Sequence, residues 1–239
     1  MSSDGAVKVL HPAKFSPSIL DVIRDTLSTR QIPEDARILD PFSGVGRCHD
    51  LGWPGTVGVE LEMPWCREQE GPVVRADSTA LPFRAHTFHA AVTSPTYGNR
   101  FADKHKAKDG SVRRSYTHDL RTSTGDEDYV LHPANTGGMK WGREYWRVHG
   151  AVYDEVWRVL VDGGLFVVNV SDHVRAKKVV RVVDWHRRAL MARGFDVVDE
   201  VRVATPRLKY GENRDARVDG EVVIVALKLM HNQARYPTR

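Results

Sequence analysis

An apolar run, Phe88 to Val92, leads straight into Thr93-Ser94-Pro95-Thr96-Tyr97-Gly98-Asn99-Arg100. Within four residues Ser94 offers a hydroxyl acceptor, Pro95 a carbonyl on a stiff backbone, and Tyr97 an aromatic face. Those groups can grip a flat ring by an amino edge. An exocyclic ring amine is a poor nucleophile because its lone pair is delocalised into the ring. Acceptors on its N–H groups draw the nitrogen toward a tetrahedral state and free the lone pair. Ser94 Oγ and the Pro95 carbonyl are candidate acceptors, Tyr97 is a candidate stacking face, and Thr96 completes the tetrapeptide. In isolation such a tetrapeptide is more often an ordinary strand-to-loop turn. Its context gives it weight.

Upstream lies Ile38-Leu39-Asp40-Pro41-Phe42-Ser43-Gly44-Val45-Gly46-Arg47, a strand followed by a glycine turn. Gly44 and Gly46 let the backbone turn tightly and approach a ligand closely. The strand after it ends in Glu60, where a carboxylate can accept from ribose hydroxyls. The next ends in Arg75-Ala76-Asp77-Ser78, and Asp77 can accept from an adenine amino group. Open α/β sheets bind ligands at such strand carboxyl ends. A dinucleotide fold prefers GxGxxG, and here His49 occupies the third glycine position. S-adenosylmethionine is therefore the expected cofactor rather than NAD.

The elements that must position these groups read as α/β with a mainly parallel sheet, because short β-branched runs alternate with helical stretches. Strands are expected at residues 37–40, 56–60, 73–76, 90–93, 165–170, 197–204 and 222–228. Helices are expected at 17–30, 143–160 and 179–193, the last two stopped by Gly163-Gly164 and Gly194. With no helical pattern between them, the last two strands read as an antiparallel pair at or next to a sheet edge. Residues 98–142 show no clear periodicity and are rich in Lys, Arg, His, Asp, Gly and Thr. The expected organisation is one domain over 1–239 with a long insert at about 98–142, and inserts of that length are commonly functional or disordered.

Composition narrows the classes. No apolar run approaches the roughly 18 residues of a membrane span, and Met1 to Pro12 lack the basic flank and apolar core of a signal peptide. A cytoplasmic protein is expected. The 2 cysteines, Cys48 and Cys66, make neither a disulfide framework nor a metal cluster, and the 11 histidines show no ligand spacing, so no metal is expected. The net charge of +4 permits a nucleic-acid partner without demanding one.

Together these segments resemble the S-adenosylmethionine-dependent amino-methyltransferases of the DNA type. Asp40-Pro-Phe-Ser-Gly-Val-Gly46 resembles the family's cofactor loop, D-P-F-x-G-x-G. Ser94-Pro-Thr-Tyr97 resembles its catalytic motif, [DNS]-P-P-[YFW], with Thr96 in place of the second proline. His11-Pro-Ala-Lys-Phe15 resembles the N-terminal motif that helps hold the cofactor's methionine end, and Gly220-Glu-Val-Val-Ile-Val225 the strand that closes the sheet.

The resemblance covers nearly the whole chain outside residues 98–142. It implies a Rossmann-like, doubly wound sheet with a C-terminal antiparallel strand. It also implies methylation of a base amino group, cytosine 4-amino or adenine 6-amino, and a serine at the first motif position is associated more with cytosine. His11, Phe15, Asp40, Phe42, Gly44, Gly46, Glu60, Asp77 and Ser78 would hold the cofactor. Tyr97-Gly98 also resembles RNA guanine 2-amino methyltransferases, so RNA is the alternative substrate. A nucleic-acid-binding protein that has lost turnover is another. No separate target-recognition domain of the size such enzymes often carry is expected.

Substrate contacts are expected in the basic insert, at Arg100, Lys104, Lys106, Arg113 and Arg114, and between the last two strands at Asn213 and Arg217. Such groups suit a phosphate backbone and a displaced base. Asp103, Asp109 and Asp119 dilute that charge. Trp141, Tyr145, Trp146 and Trp157 read as core and rim packing, and His173 and Arg175 as residues near the pocket. Ser171 and Asp172 read as helix caps.

Overall fold

The structure, a computed structural model, describes residues 11, 15–98, 116–175, 177–205, 218 and 220–229. In chain order the elements are α1 (Pro17–Thr29), β1 (Arg37–Asp40), β2 (Gly55–Glu60), α2 (Met63–Glu68), β3 (Val73–Arg75), β4 (Phe88–Thr93), α3 (Tyr116–Thr124), α4 (Arg143–Val159), β5 (Leu160–Val170), β6 (His173–Arg175), β7 (Lys178–Val180), α5 (Val182–Met191), β8 (Phe195–Ala204) and β9 (Gly220–Lys228).

Seven strands form one sheet in the order β3-β2-β1-β4-β5-β9-β8. Neighbours from β3 through β5 pair in parallel, and β9 runs antiparallel to both β5 and β8. The expected class is thus the observed one, and β8 with β9 forms the antiparallel edge. From β1 the chain winds outward one way to β2 and β3, then returns to β4 and winds the other way. The loops leaving β1 and β4 therefore diverge and open a crevice at the sheet's carboxyl edge, the usual ligand site of such sheets.

Side chains alternate across the sheet with the strand period of two. Leu165, Val167, Val223 and Val225 face α1, which buries Ile19, Leu20, Ile23 and Leu27 against them. Phe166, Val168, Ile224 and Ala226 face the other way, toward α4 and α5. Helix α1 starts where Ser16 accepts from the Ile19 amide at 3.3 Å and Pro17 opens the first turn, a strong start signal.

Three expectations need correction. Helix α4 ends at Val159, within one residue of the expected 160, but Gly163-Gly164 is not what stops it. Leu160 already pairs with Phe88, and the ladder then jumps to Ala90–Leu165. Gly163, at φ +74°, lets β5 bulge there. Helix α5 starts at Val182 because Val179 and Val180 belong to the β6–β7 hairpin. Asp172 still caps it from across that hairpin, accepting from the Val183 amide at 2.9 Å. The stretch 98–142 contains α3 and a short turn of helix, Thr136–Gly138. Only Tyr116, Asp119 and Leu120 of α3 are buried, so its apolar stripe was too thin to stand out.

Phe166 sits in the middle of this packing, with Tyr153 of α4 at 5.3 Å and Phe195 at 5.5 Å between ring centroids. Truncation to alanine leaves a cavity between sheet and helix. Phe166→Ala should lower unfolding free energy by about 3–5 kcal/mol in urea denaturation; a loss below 1 kcal/mol would mean that the core collapses around the site.

Candidate functional site

The strand ends at the crevice are held by buried carboxylates. Asp40, at the end of β1, accepts from the Phe42 amide at 3.0 Å and from Thr93 Oγ1 of β4 at 2.8 Å. It therefore ties together the two strands between which the crevice opens. Burial pushes its carboxyl up to about 6. Gly44 and Gly46 follow at φ +54° and +80°, conformations that favour glycine.

Glu60, at the end of β2, accepts from the Gly44 amide at 2.9 Å through Oε2, and from the Leu61 and Glu62 amides at 2.8 Å each through Oε1. Burial raises it to about 8, against the pull of those three N–H groups. Oε2 keeps an unused lone pair, since each carboxylate oxygen can accept twice. After β3, Asp77 caps the short helical turn Ser78–Ala80, accepting from the Thr79 amide and hydroxyl at 2.9 and 2.8 Å. Ser78 Oγ donates to the Pro41 carbonyl and joins this turn to the glycine loop.

The crevice has a volume of about 570 Å³, including its open mouth. His11, Phe42, Gly44, Glu60, Asp77, Ser78, Ser94 and Thr96 line it, as do Tyr116, Asn135 and Thr136. An adjoining recess of about 320 Å³ adds Phe15, Asp40 and Arg47, and shares His11, Phe42 and Ser94. The two halves of the expected site, glycine loop and tetrapeptide, thus face one space. A Cβ added to Gly44 would lie 2.8 Å from His11 Nε2, so the imidazole covers the glycine turn. Its ring also meets Trp65 edge-on at 4.5 Å. Phe42 stacks on the buried His149 at 5.2 Å, whose imidazole burial lowers to about 4.

The tetrapeptide is held from three sides. Ser94 Oγ accepts from Asn169 Nδ2 of β5 at 3.3 Å and lies 3.5 Å from the Tyr97 hydroxyl. That hydroxyl donates to Glu221 of β9 at 3.1 Å, and Asn169 Nδ2 donates to the same carboxylate at 2.7 Å. The peptide bond into Pro95 is trans. Thr96 Oγ1 donates to Thr136 Oγ1 at 3.0 Å, and its carbonyl accepts from Tyr145 of α4. Behind Tyr145 the donors line up in one direction. Tyr153 O–H donates to His186 Nδ1 at 2.6 Å, and His186 Nε2–H donates to Tyr145 Oη at 3.0 Å. Tyr145, donating onward to Thr96, requires that tautomer. A neutral ring also follows from burial, which lowers the His186 imidazole well below its ordinary range. Tyr97 itself packs against the main core and is not part of the crevice wall.

Several residues that build the site gave no sequence signal. Glu62 gathers the segment after α3, accepting from Tyr129 Oη at 2.7 Å, the His132 amide at 2.9 Å and Asn135 Nδ2 at 2.8 Å. Asn169 was visible only as a lone polar residue in LFVVNV, and Glu221 only as the acid opening the last strand. The expected substrate residues Arg100, Lys104, Lys106, Arg113, Arg114, Asn213 and Arg217 lie outside the described residues. Among the described residues no group of His, Cys, Asp or Glu is arranged to hold a metal ion. No described helix is long and apolar enough to cross a membrane.

No protein-family profile matches the chain, and no curated protein matches its sequence. Solved structures do resemble its fold. An S-adenosylmethionine-dependent methyltransferase from Methanosarcina mazei is similar with a TM-score of 0.53 at 13% identity, over 91% of this chain and 100% of that one. A 4+2 cyclase, SpnF, gives 0.54 at 14% identity, over 91% and 83%. TrmN from Thermus thermophilus gives 0.52 at 15% identity, over 93% and 52%. The fold is that of the class I methyltransferases, and at these identities the likeness extends to the fold alone.

Two outcomes follow from the buried acids. Asp40 and Glu60 have folded-state values raised above their ordinary 3.8 and 4.5. Their stability contribution is therefore full below those ordinary values and is lost as pH rises through about 6 and about 8. The ligand-free protein should melt at progressively lower temperature between pH 5 and 8, and Glu60→Gln should flatten the upper part of that slope. A variant with the parent's slope would mean that Glu60 does not titrate there. Glu62→Ala removes acceptors from three donors, each charged bond being worth about 1.5–3 kcal/mol. Amide hydrogen exchange at residues 129–135 should accelerate while β1, β4 and β5 keep their protection; unchanged exchange would show that other contacts hold the segment.

Proposed function

We propose that the chain is an S-adenosylmethionine-dependent methyltransferase acting on an exocyclic amino group of a nucleic-acid base, with DNA cytosine 4-amino or adenine 6-amino as the target. One observation carries this reading. The glycine turn with Glu60 and Asp77, and the hydroxyl of Ser94, line a single crevice at the topological switch of the sheet.

The residues fit the cofactor. The Glu60 Oε2 lone pair can accept one ribose hydroxyl, Asp77 and Ser78 lie at the adenine end, and Phe42 supplies an apolar wall. His11, Phe15 and Asp40 line the adjoining recess, suited to the methionine end. The cofactor's sulfonium supplies an electrophilic methyl group. Ser94 Oγ, with Asn169 on one lone pair, has another for an amine N–H, and the Pro95 carbonyl is the second acceptor. These acceptors orient the amine lone pair, so positioning supplies most of the rate. A target within a duplex must first be flipped out, at a cost of a few kcal/mol.

The insert at 98–142 is the proposed recognition element, with Arg100, Lys104, Lys106, Arg113 and Arg114 on the phosphates. Its support is that Tyr116, Asn135 and Thr136 contribute to the crevice wall. Tyr97, tied to Glu221, positions the loop in this reading and need not stack on the base.

Nucleoside mass spectrometry of DNA and RNA from cells with and without the expressed protein tests the assignment. A new methylated cytosine or adenine in DNA is expected, and Ser94→Ala should abolish it. By calorimetry Ser94→Ala should still bind S-adenosylmethionine within about twofold of the parent, since each 1.4 kcal/mol is tenfold and Ser94 contributes no cofactor contact in this scheme. Methylation confined to RNA would move the substrate class. Cofactor binding without any methylated base would leave a binding protein.

A further inference from the structure

Three tryptophans assemble on the surface next to the tetrapeptide. Trp146 of α4 stacks on Trp185 of α5, with centroids 6.3 Å apart and planes at 20°. Trp141, just before α4, stands edge-on to both at 5.8 and 5.7 Å, and His173 of β6 meets Trp141 at 6.3 Å. Trp146 is 39% exposed. The cluster packs behind the tetrapeptide, through residues that do not line the crevice. The Trp141 amide donates to the Gly98 carbonyl, one residue past Tyr97, and Trp141 packs at 5.0 Å on Tyr145, whose hydroxyl holds Thr96.

Cations surround these rings. Arg143 is exposed one turn before Trp146 on α4, and Arg147, one turn after Arg143 and next to Trp146 in sequence, is exposed too. On the hairpin, His173 and Arg175 share a face as alternate residues, and Lys178 lies opposite Arg175 in the register. The face that turns His173 toward Trp141 therefore also bears Arg175 and Lys178, both exposed. Among the described residues three acids lie on these elements or beside them. Asp172 accepts from the Val183 amide. Asp184 is occupied by Arg187 at 3.2 Å and Arg188 at 2.6 Å, and Glu144 is in the first turn of α4. The balance stays positive.

We propose that this tryptophan face is a docking surface for an unpaired DNA strand, with a base stacked on Trp146 and phosphates on Arg143, Arg147 and Lys178. Exposed aromatic rings interleaved with cations are the chemistry of single-strand binding, because every base has a π-face and every linkage a charge. An apolar partner would leave these cations without counter-charge. The choice of DNA rests on the proposed function; the surface itself is read by binding alone, without cofactor or turnover.

The test is fluorescence anisotropy of a labelled 20-nucleotide oligo-dT strand titrated with the full-length protein, with tryptophan quenching followed in parallel. Binding that quenches tryptophan and weakens with salt is expected. Trp146→Ala should weaken it about five- to tenfold. The pair Arg143→Ala and Arg147→Ala should flatten the log–log salt slope by about 1.4, two phosphates at about 0.7 each. Arg30→Ala, exposed at the end of α1 on the opposite side of the sheet, should change neither. These positions are exposed, and circular dichroism checks that the variants stay folded. No binding, or equal binding by the Trp146 and Arg30 variants, overturns the surface. Tighter binding of oligo-U than of oligo-dT overturns the choice of DNA. If strand binding behaves as expected while no methylated base is found, the docking surface stands and the proposed reaction falls.

Discussion

Buried carboxylates set against backbone N–H groups give the crevice its shape. Asp40 fastens the end of β1 to Thr93 at the end of β4, Glu60 fastens β2 to the glycine loop, and Glu62 draws residues 129–135 over the opening. A charge taken out of water is costly unless it is hydrogen-bonded several times, and a strand terminus is where amides without ladder partners collect. Each acid therefore needs the loop amides as much as the loops need the acid. The balance is close enough that burial still raises Asp40 and Glu60 into the range where they titrate near neutrality. An incoming hydroxyl donor at Glu60 Oε2 would add one more bond to the charged form, so ligand binding and ionisation of this acid are coupled by the same geometry.

Much of the sheet was legible because a doubly covered strand has to be apolar on both faces. The runs that became β1, β2, β4, β5 and β9 stand out for that reason, and the acids at their ends mark where each run meets solvent. The less legible parts have a common cause in tertiary contact. Gly163-Gly164 looked like a helix stop, yet pairing of Leu160 with Phe88 ended α4 earlier and turned the glycines into a bulge. Val179 and Val180 looked like the start of a helix, yet they close a two-stranded hairpin. Glu62 drew no expectation, because its donors come from residues 67 to 73 positions downstream. No local pattern carries information of that range. The aromatic residues 141, 145 and 146 were expected to be core and rim. Tyr145 is core, whereas Trp146 is outward enough to suggest a second role.

Thr96 shows how the fold can compensate for a missing local constraint. A proline at that position would fix φ through its ring and have no N–H to place. Threonine has no such restraint, and here its position is set from outside. Its hydroxyl is engaged by Thr136 of the insert and its carbonyl by Tyr145, which His186 and Tyr153 back in turn. From Tyr153 through His186 to Tyr145 each donor points toward the tetrapeptide, and the burial of His186 removes the protonated state that would reverse it. Stiffness that would have been local thus becomes a property of α4, α5 and the insert together. The loop can be rigid only when those three elements are packed.

Shared architecture alone cannot decide what the crevice does, since a methyltransferase and a 4+2 cyclase resemble it equally well. What separates such proteins is the chemistry placed above the carboxyl edge of the sheet. Here that edge presents oxygen acceptors at Ser94 and carboxylates at Glu60 and Asp77, with apolar rings at Phe42 and Trp65. Acceptors of this kind favour a partner that brings N–H and O–H donors on flat rings. A nucleoside cofactor and a base with an exocyclic amine both meet that description. The proposed docking face on Trp146 would extend the same preference for flat rings beyond the crevice, and the arginines near it would add a preference for negative charge that a small neutral amine does not need. Under the proposed function, the cavity and the adjoining surface would take one kind of partner, a polyanion made of stacked heterocycles.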